Sequence, residues 1–241
     1  MKSEQTGIYV SLQYQAKHDI DGDDTFILSV DGTIYGEAVD EKCLESKIEL
    51  GELKLFVIKV GNAISAGASL PVILDTYQQT LDAGCVLFND SFDDYSPGVK
   101  DKFEDAYASD DILLLDRLNL NPLVRGQRLG LAALWRGMQD WSAGCSLVAI
   151  KPFPVQFEGG GCNTENVSKL QLEGFKGSKI DSFRRLRNYY EKLGFERIAR
   201  SDIYALCTHG TAPSWKSLSI PDRFYVPTEL LERPEAVPNR T

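Results

Sequence analysis

Hydrophobic and polar positions alternate through the first quarter of the chain. Ile8 to Gln15 has the composition of a strand, and Gly51 to Val60 (GELKLFVIKV) alternates clearly. Between them, Thr25 to Val30 and Thr33 to Val39 flank Asp31-Gly32, a pattern that predicts a hairpin with an Asp-Gly turn. The spacing then changes. Leu74, Tyr77, Gln78 and Leu81 recur at helical intervals, predicting one helix within Leu70 to Phe88, and Val99 to Tyr107 predicts a short polar helix after the break at Pro97-Gly98. Ile112 to Leu120 reads as a long central strand. A helix from about Arg125 to Trp141 follows, with Leu131, Leu134, Trp135, Met138 and Trp141 on one stripe and Gly144 ending it. Ser146 to Ile150 is the next strand, and a strand-helix-strand unit of this length implies two parallel neighbours joined by a right-handed crossover. Asp181 or Ser182 is expected to cap a last long helix. Its apolar face is Phe183, Leu186, Tyr190 and Leu193, with Gly194 as a left-handed terminator. Phe195 to Ala199 and Ile203 to Leu206 are expected as short closing strands.

Composition narrows the class. A chain of 241 residues with 43% hydrophobic and 25% charged positions has enough apolar surface for a sizeable core. No apolar run is long enough to span a bilayer, and MKSEQTGIYVSLQYQ lacks the core of a secretory signal, so a cytoplasmic protein without a membrane partner is expected. The five cysteines are scattered with no CxxC pair, as in a reducing compartment, and no metal site is expected. Cys207 and His209 are close in sequence, but adjacency alone does not make a catalytic pair. A net charge of −9 argues against nucleic acid as the main partner. Acid is concentrated from Asp90 to Asp111, readable as a solvated segment or as a rim that draws in a cationic amine.

The chemistry concentrates in ILLLDRLNLNPLVRGQRLGLAAL, Ile112 to Leu134. A buried strand there feeds a helix N-terminus through a short polar turn, and such a helix start offers unpaired amides and a positive dipole end to a phosphate. A second segment, Asn188 to Phe195 (NYYEKLGF), closes the last long helix. Together the two segments resemble the GNAT superfamily of acyl-CoA-dependent N-acetyltransferases, whose strand ends as V-x-P and is followed by Arg/Gln-x-x-Gly-x-Gly/Ala. Two registers fit. Leu120-Asn121-Pro122 with Arg125-x-x-Arg128-x-Gly130 keeps the proline spacing but puts arginine where the first glycine belongs. Gln127-x-x-Gly130-x-Ala132 matches letter for letter with poorer proline spacing. The first is preferred, with Arg128 expected to take an ordinary helical φ, since only φ > 0 demands glycine.

The resemblance implies an α/β (α+β) fold: a mixed, mainly antiparallel sheet flanked by helices and splayed where two parallel strands meet the coenzyme. It implies a single domain over residues 1–220, with residues 158–180 as an inserted glycine-rich loop and 221–241 as a polar, proline-containing tail. It implies acetyl-CoA as acyl donor. Backbone amides from Arg125, Gly126, Gln127, Arg128, Leu129 and Gly130 would bind its pyrophosphate, and main-chain groups of Leu118 and Leu120, flanking Asn119, would pair with its pantetheine arm. Tyr190 would protonate the departing thiolate. Asp116, a carboxylate costly to bury unpaired, is the candidate base, with a salt bridge as its other reading. Phe183 stands where the family often has asparagine, and Arg184, Arg185 and Arg187 are candidates for a nucleotide phosphate or for a solvated face. The acceptor would be an amine on a small molecule or a protein, and a homodimer is left open. A non-catalytic acyl-CoA-binding sensor or interaction module is the alternative.

Overall fold

The computed structural model describes residues 4–17, 23–38, 47–154, 157 and 178–231. Eight strands form one sheet: β1 (Gln5–Lys17), β2 (Ile27–Ala38), β3 (Lys47–Ile58), β4 (Asp111–Leu120), β5 (Cys145–Ile150), β6 (Glu196–Arg197), β7 (Tyr204–Cys207) and β8 (Phe224–Pro227). Their order is β6-β7-β5-β4-β3-β2-β1-β8. Every pairing is antiparallel except β4 with β5. That exception follows from α5 (Leu129–Trp141), which carries the chain back so that β5 starts at the same end as β4.

Two apolar clusters cover the two faces. Alternation along β4 sends Leu113 and Leu115 to one face, against α5 and α6 (Lys179–Glu191), and Ile112 and Leu114 to the other. The second face is covered by α1 (Val60–Ser65), α2 (Leu70–Leu74), α3 (Gln78–Leu87) and α4 (Pro97–Lys100). β5 is buried on both faces, as befits a strand covered on both sides.

Several expectations give way to longer-range contacts. Asp31-Gly32 is not a turn: β2 runs straight through it, and Gly32 faces Tyr14 of β1. A methyl at Gly32 would meet the Tyr14 ring at 3.2 Å, so the glycine makes room for an aromatic neighbour. The helix expected over Leu70 to Phe88 is two helices. Tyr77 adopts extended dihedrals and packs its ring on Phe56 (4.8 Å between centroids), while the Thr80 hydroxyl donates to the Leu74 carbonyl left open at the break. The helix expected from Val99 is only the single turn α4, whose Val99 is anchored in the second cluster. Ser178 caps α6, one turn earlier than expected: its hydroxyl donates to the Asp181 carboxylate and accepts from the Asp181 amide. Gly194 does take the left-handed conformation expected of it.

Residues 224–231 belong to the folded domain, not to a tail. Phe224 and Val226 are buried because β8 pairs with β1, and α7 (Thr228–Leu231) buries Leu231. Residues 232–241 of the expected tail and residues 158–177 of the insertion expected over residues 158–180 lie outside the described residues; Lys179 and Ile180 open α6. Among the described residues no helix is long and apolar enough to cross a membrane.

Candidate functional site

The site begins with a fault in the ladder. Lys54 pairs with Arg117 but Leu55 pairs with Leu115, so Asp116 is an extra residue, a bulge, in β4. Leu115 is also the last residue of β4 to pair with β5, opposite Ile150. From Asp116 onward, no described strand pairs with β4 on that side. The Asn121 amide donates to Leu50 O (2.7 Å), and alternation then points the main-chain groups of Asn119 toward β3 and those of Leu118 and Leu120 toward the gap. Five residues, Asp116 to Leu120, give this open edge a length of ~17 Å.

A cleft of about 760 Å³ occupies the gap. Leu114 to Leu120 line its length. Arg125, Gly126, Arg128, Leu129, Gly130 and Leu131 form one end, Leu186, Tyr189 and Tyr190 one wall, and Gln78, Gln79, Asp82 and Lys151 the other end. α5 and α6 lie on one face of the sheet and α3 on the other, so the cleft passes through the sheet where the strands part. Its lining carries six cationic side chains (Arg117, Arg125, Arg128, Lys151, Arg185, Lys192) against two carboxylates (Asp82, Asp116), in a chain of net charge −9.

The turn at the helix end is shaped by the far C-terminal part of the chain. The first backbone bond of α5 runs from Ala132 N to Arg128 O, leaving the amides of Leu129, Gly130 and Leu131 without intrahelical partners. Gly126 has φ +83, and Arg128 has φ +67. The helical φ expected for Arg128 is therefore wrong: the residue takes the left-handed conformation that glycine takes most easily. Its guanidinium donates to the carbonyls of Leu218 (2.6 Å) and Ser219 (3.3 Å), contacts that hold it there. Gln127 differs from the other predicted residues in not lining the cleft. Its side chain bridges the Tyr225 backbone in both directions, accepting at 2.9 Å and donating at 2.7 Å. Arg125 folds back so that Nε and Nη2 donate to Leu120 O at 3.1 and 2.8 Å, occupying one of the carbonyls expected to meet the pantetheine arm.

The two tyrosines of α6 divide the wall between them. Tyr190 is 7% exposed, and its ring meets Phe195 edge-on at 6.1 Å. Burial raises its pKa well above the ordinary tyrosine range, so the phenol stays protonated. Tyr189 is raised likewise, by burial first and by Tyr190 second. Its hydroxyl sits against Gly130, where a side-chain methyl would overlap it. Neither hydroxyl bonds to another described residue. Of the three arginines, Arg185 lines the cleft, Arg184 pairs with Asp181 at 3.5 Å and Arg187 with Asp202 at 3.4 Å. Phe183 packs edge-on against Phe153, 5.6 Å between centroids.

Sequence reasoning missed the opposite end. Gln78 and Asp82, one turn apart on α3, converge with Lys151, which directly follows β5. Asp82 accepts from Lys151 Nζ (2.5 Å) and from Gln78 Nε2 (2.6 Å), and the bond from Lys151 chiefly holds its carboxyl below the usual range. The i, i+4 spacing was readable in the sequence; its meeting with Lys151 was not. No cluster of three or more His, Cys, Asp or Glu side chains placed to hold a metal occurs among the described residues. Nδ1 of His209 faces Asp105 O at 2.7 Å, and neither His209 nor Cys207 lines the cleft. No protein family, curated protein or solved structure matches this chain.

Proposed function

We propose that the chain is an N-acetyltransferase of the GNAT type, moving an acetyl group from acetyl-CoA to a primary amine within a ternary complex. One observation carries this: β4 parts from β5 directly before a free helix N-terminus, in a cation-rich cleft open to both faces of the sheet. An extended ligand with amide groups can add to the open edge of β4, using the outward main-chain groups of Leu118. A diphosphate attached to it reaches the unpaired amides of Leu129, Gly130 and Leu131. The cation excess suits a polyanion in a protein whose overall charge would repel one.

The chemistry follows from the same placement. The acceptor ammonium loses one proton, with Asp116 at the bulge as the candidate base and solvent as the sink. The amine lone pair then forms a C–N bond to the thioester carbonyl, the C–S bond breaks, and the thiolate takes the proton of Tyr190. A second N–H proton of the acceptor restores that phenol. The products are an amide, free coenzyme thiol and one proton. Holding both reactants at one gap supplies much of the rate.

Isothermal titration with CoA and acetyl-CoA, followed by free-thiol release from acetyl-CoA across a panel of amines, tests the proposal. Binding with turnover supports it. Binding without turnover on a broad panel marks a non-catalytic acyl-CoA-binding module, and absence of heat for any CoA species removes both.

A further inference from the structure

The two faces of the cleft have different chemistry. On the α5/α6 face are the helix amides and four of the six cations, Arg125, Arg128, Arg185 and Lys192. On the α3 face is one polar cluster, Gln78, Gln79, Asp82 and Lys151. With a coenzyme thioester entering from the first face, the second is left for the acceptor. Lys151 follows Ile150, the partner of Leu115, so this cluster lies where the strands part and beside the Asp116 bulge.

The cluster presents two opposite charges in a fixed order. Gln78 holds one oxygen of Asp82 and Lys151 the other, which pins the carboxylate's orientation. The pair is still wet, with the side chains of Lys151 and Asp82 exposed by 46% and 31%, so each group can take another partner without first being released. A ligand bearing an ammonium and a carboxylate on one carbon presents the opposite dipole. Laid against the pair, its ammonium meets Asp82 and its carboxylate meets Lys151. The four groups then close a ring of alternating charge in which each is paired as water leaves. A diamine would set its second cation against Lys151. A carboxamide or a protein lysine would leave Lys151 without the added anion.

We propose that the acceptor is a free α-amino acid, held on the α3 face with its ammonium on Asp82 and its carboxylate on Lys151. This rests on the acetyltransferase reading above. The transfer is the one already written: a C–N bond forms as the C–S bond breaks, giving an N-acetyl amino acid, coenzyme thiol and one proton.

The test is thiol release from acetyl-CoA with matched acceptors: alanine, alaninamide and putrescine, on the full chain and on its Lys151→Met variant. In the unaltered protein kcat/KM for alanine exceeds that for alaninamide by about 10–100-fold, the size of one charge-assisted contact. In Lys151→Met that ratio falls to near one. Alaninamide turnover retained in Lys151→Met shows that the variant is folded, so the ratio is read there; the alanine–alaninamide comparison in the unaltered protein does not depend on the variant. Equal use of alanine and alaninamide, better use of putrescine, or a ratio that survives Lys151→Met overturns the amino-acid assignment while leaving the acetyltransferase standing. No thiol release with any amine overturns the acetyltransferase reading, and this assignment with it.

Discussion

Gly130 and Tyr189 give the most direct test of how the α5 end of the cleft is built. Gly130 is the second residue of α5, and its Cα lies against the Tyr189 hydroxyl. A methyl there overlaps that oxygen, while the next atoms it meets, Leu118 Cδ2 and Leu120 Cδ1, stand at 3.1 and 3.2 Å. The overlap is thus almost wholly with one atom. Gly130→Ala must push the α6 tyrosine away from α5, an overpacking cost of about 1–3 kcal/mol, partly offset by about 0.5–1 kcal/mol from replacing a helical glycine. Tyr189→Phe removes a hydroxyl that bonds to no described residue, on a half-buried side chain, and is close to neutral. In the double variant the methyl occupies the vacated space and the helix gain remains. The gain enters both arms of the cycle and cancels, so the coupling between the two changes is the steric term itself, about 1–3 kcal/mol. At roughly 2–4 °C per kcal/mol for a chain of this size, thermal denaturation resolves it. Gly130→Ala melts below the parent, and Gly130→Ala/Tyr189→Phe melts at or above Tyr189→Phe. If Gly130→Ala costs the same in both backgrounds, Tyr189 is not where the structure puts it, and the packing of α6 on the cleft is wrong.

Four further outcomes follow, the first three from the proposed acetyltransferase reading and the last from burial alone. Tyr190→Phe lowers kcat by about 100-fold or more while leaving the affinity for acetyl-CoA in calorimetry nearly unchanged, because a proton donor acts at collapse and not in binding. Burial raises the Tyr190 pKa and so favours the protonated acid, and the pH–rate profile therefore shows no alkaline fall from this group below about pH 10, its unperturbed value. An alkaline limb that vanishes in Tyr190→Phe would contradict this. CoA affinity weakens as salt rises from about 0.05 to about 0.5 M, since the cations of the cleft are screened on a scale of about 10 Å at 0.1 M. An affinity indifferent to salt would argue against a phosphate site among Arg125, Arg128, Arg185 and Lys192. The Cys145 thiol, pushed up to about 12 by burial first and Asp111 second, resists Ellman's reagent near about pH 8 until the protein unfolds, whereas exposed Cys85 reacts at once.

Much of the architecture is legible in the chain because it is set by local periodicity. Alternation in GELKLFVIKV, the apolar run from Ile112, the stripe from Leu131 to Trp141 and the glycine at 194 each fix dihedrals or burial within a few residues. The strand-helix-strand spacing also placed β4 and β5 in parallel, and with them the position of the cleft. Where reading the sequence failed, a distant partner decided. Gly32 signals a turn by composition, but Tyr14 across the ladder needs its missing side chain. Arg128 carries no local sign of a left-handed backbone; Leu218 and Ser219, ninety residues on, supply the contacts that keep it there. Phe224-Tyr225-Val226 looked like a tail, and it became a strand because β1 offered a free edge and Gln127 a side chain to bridge it. The pairing of Asp82 with Lys151 likewise joins residues of ordinary type that only the parted sheet brings within 2.5 Å. Hydrophobic period and turn chemistry act over one or two turns of chain and so leave their mark in the sequence. Contacts between segments brought together by folding depend on shape and complementary charge, and those leave no spacing to read.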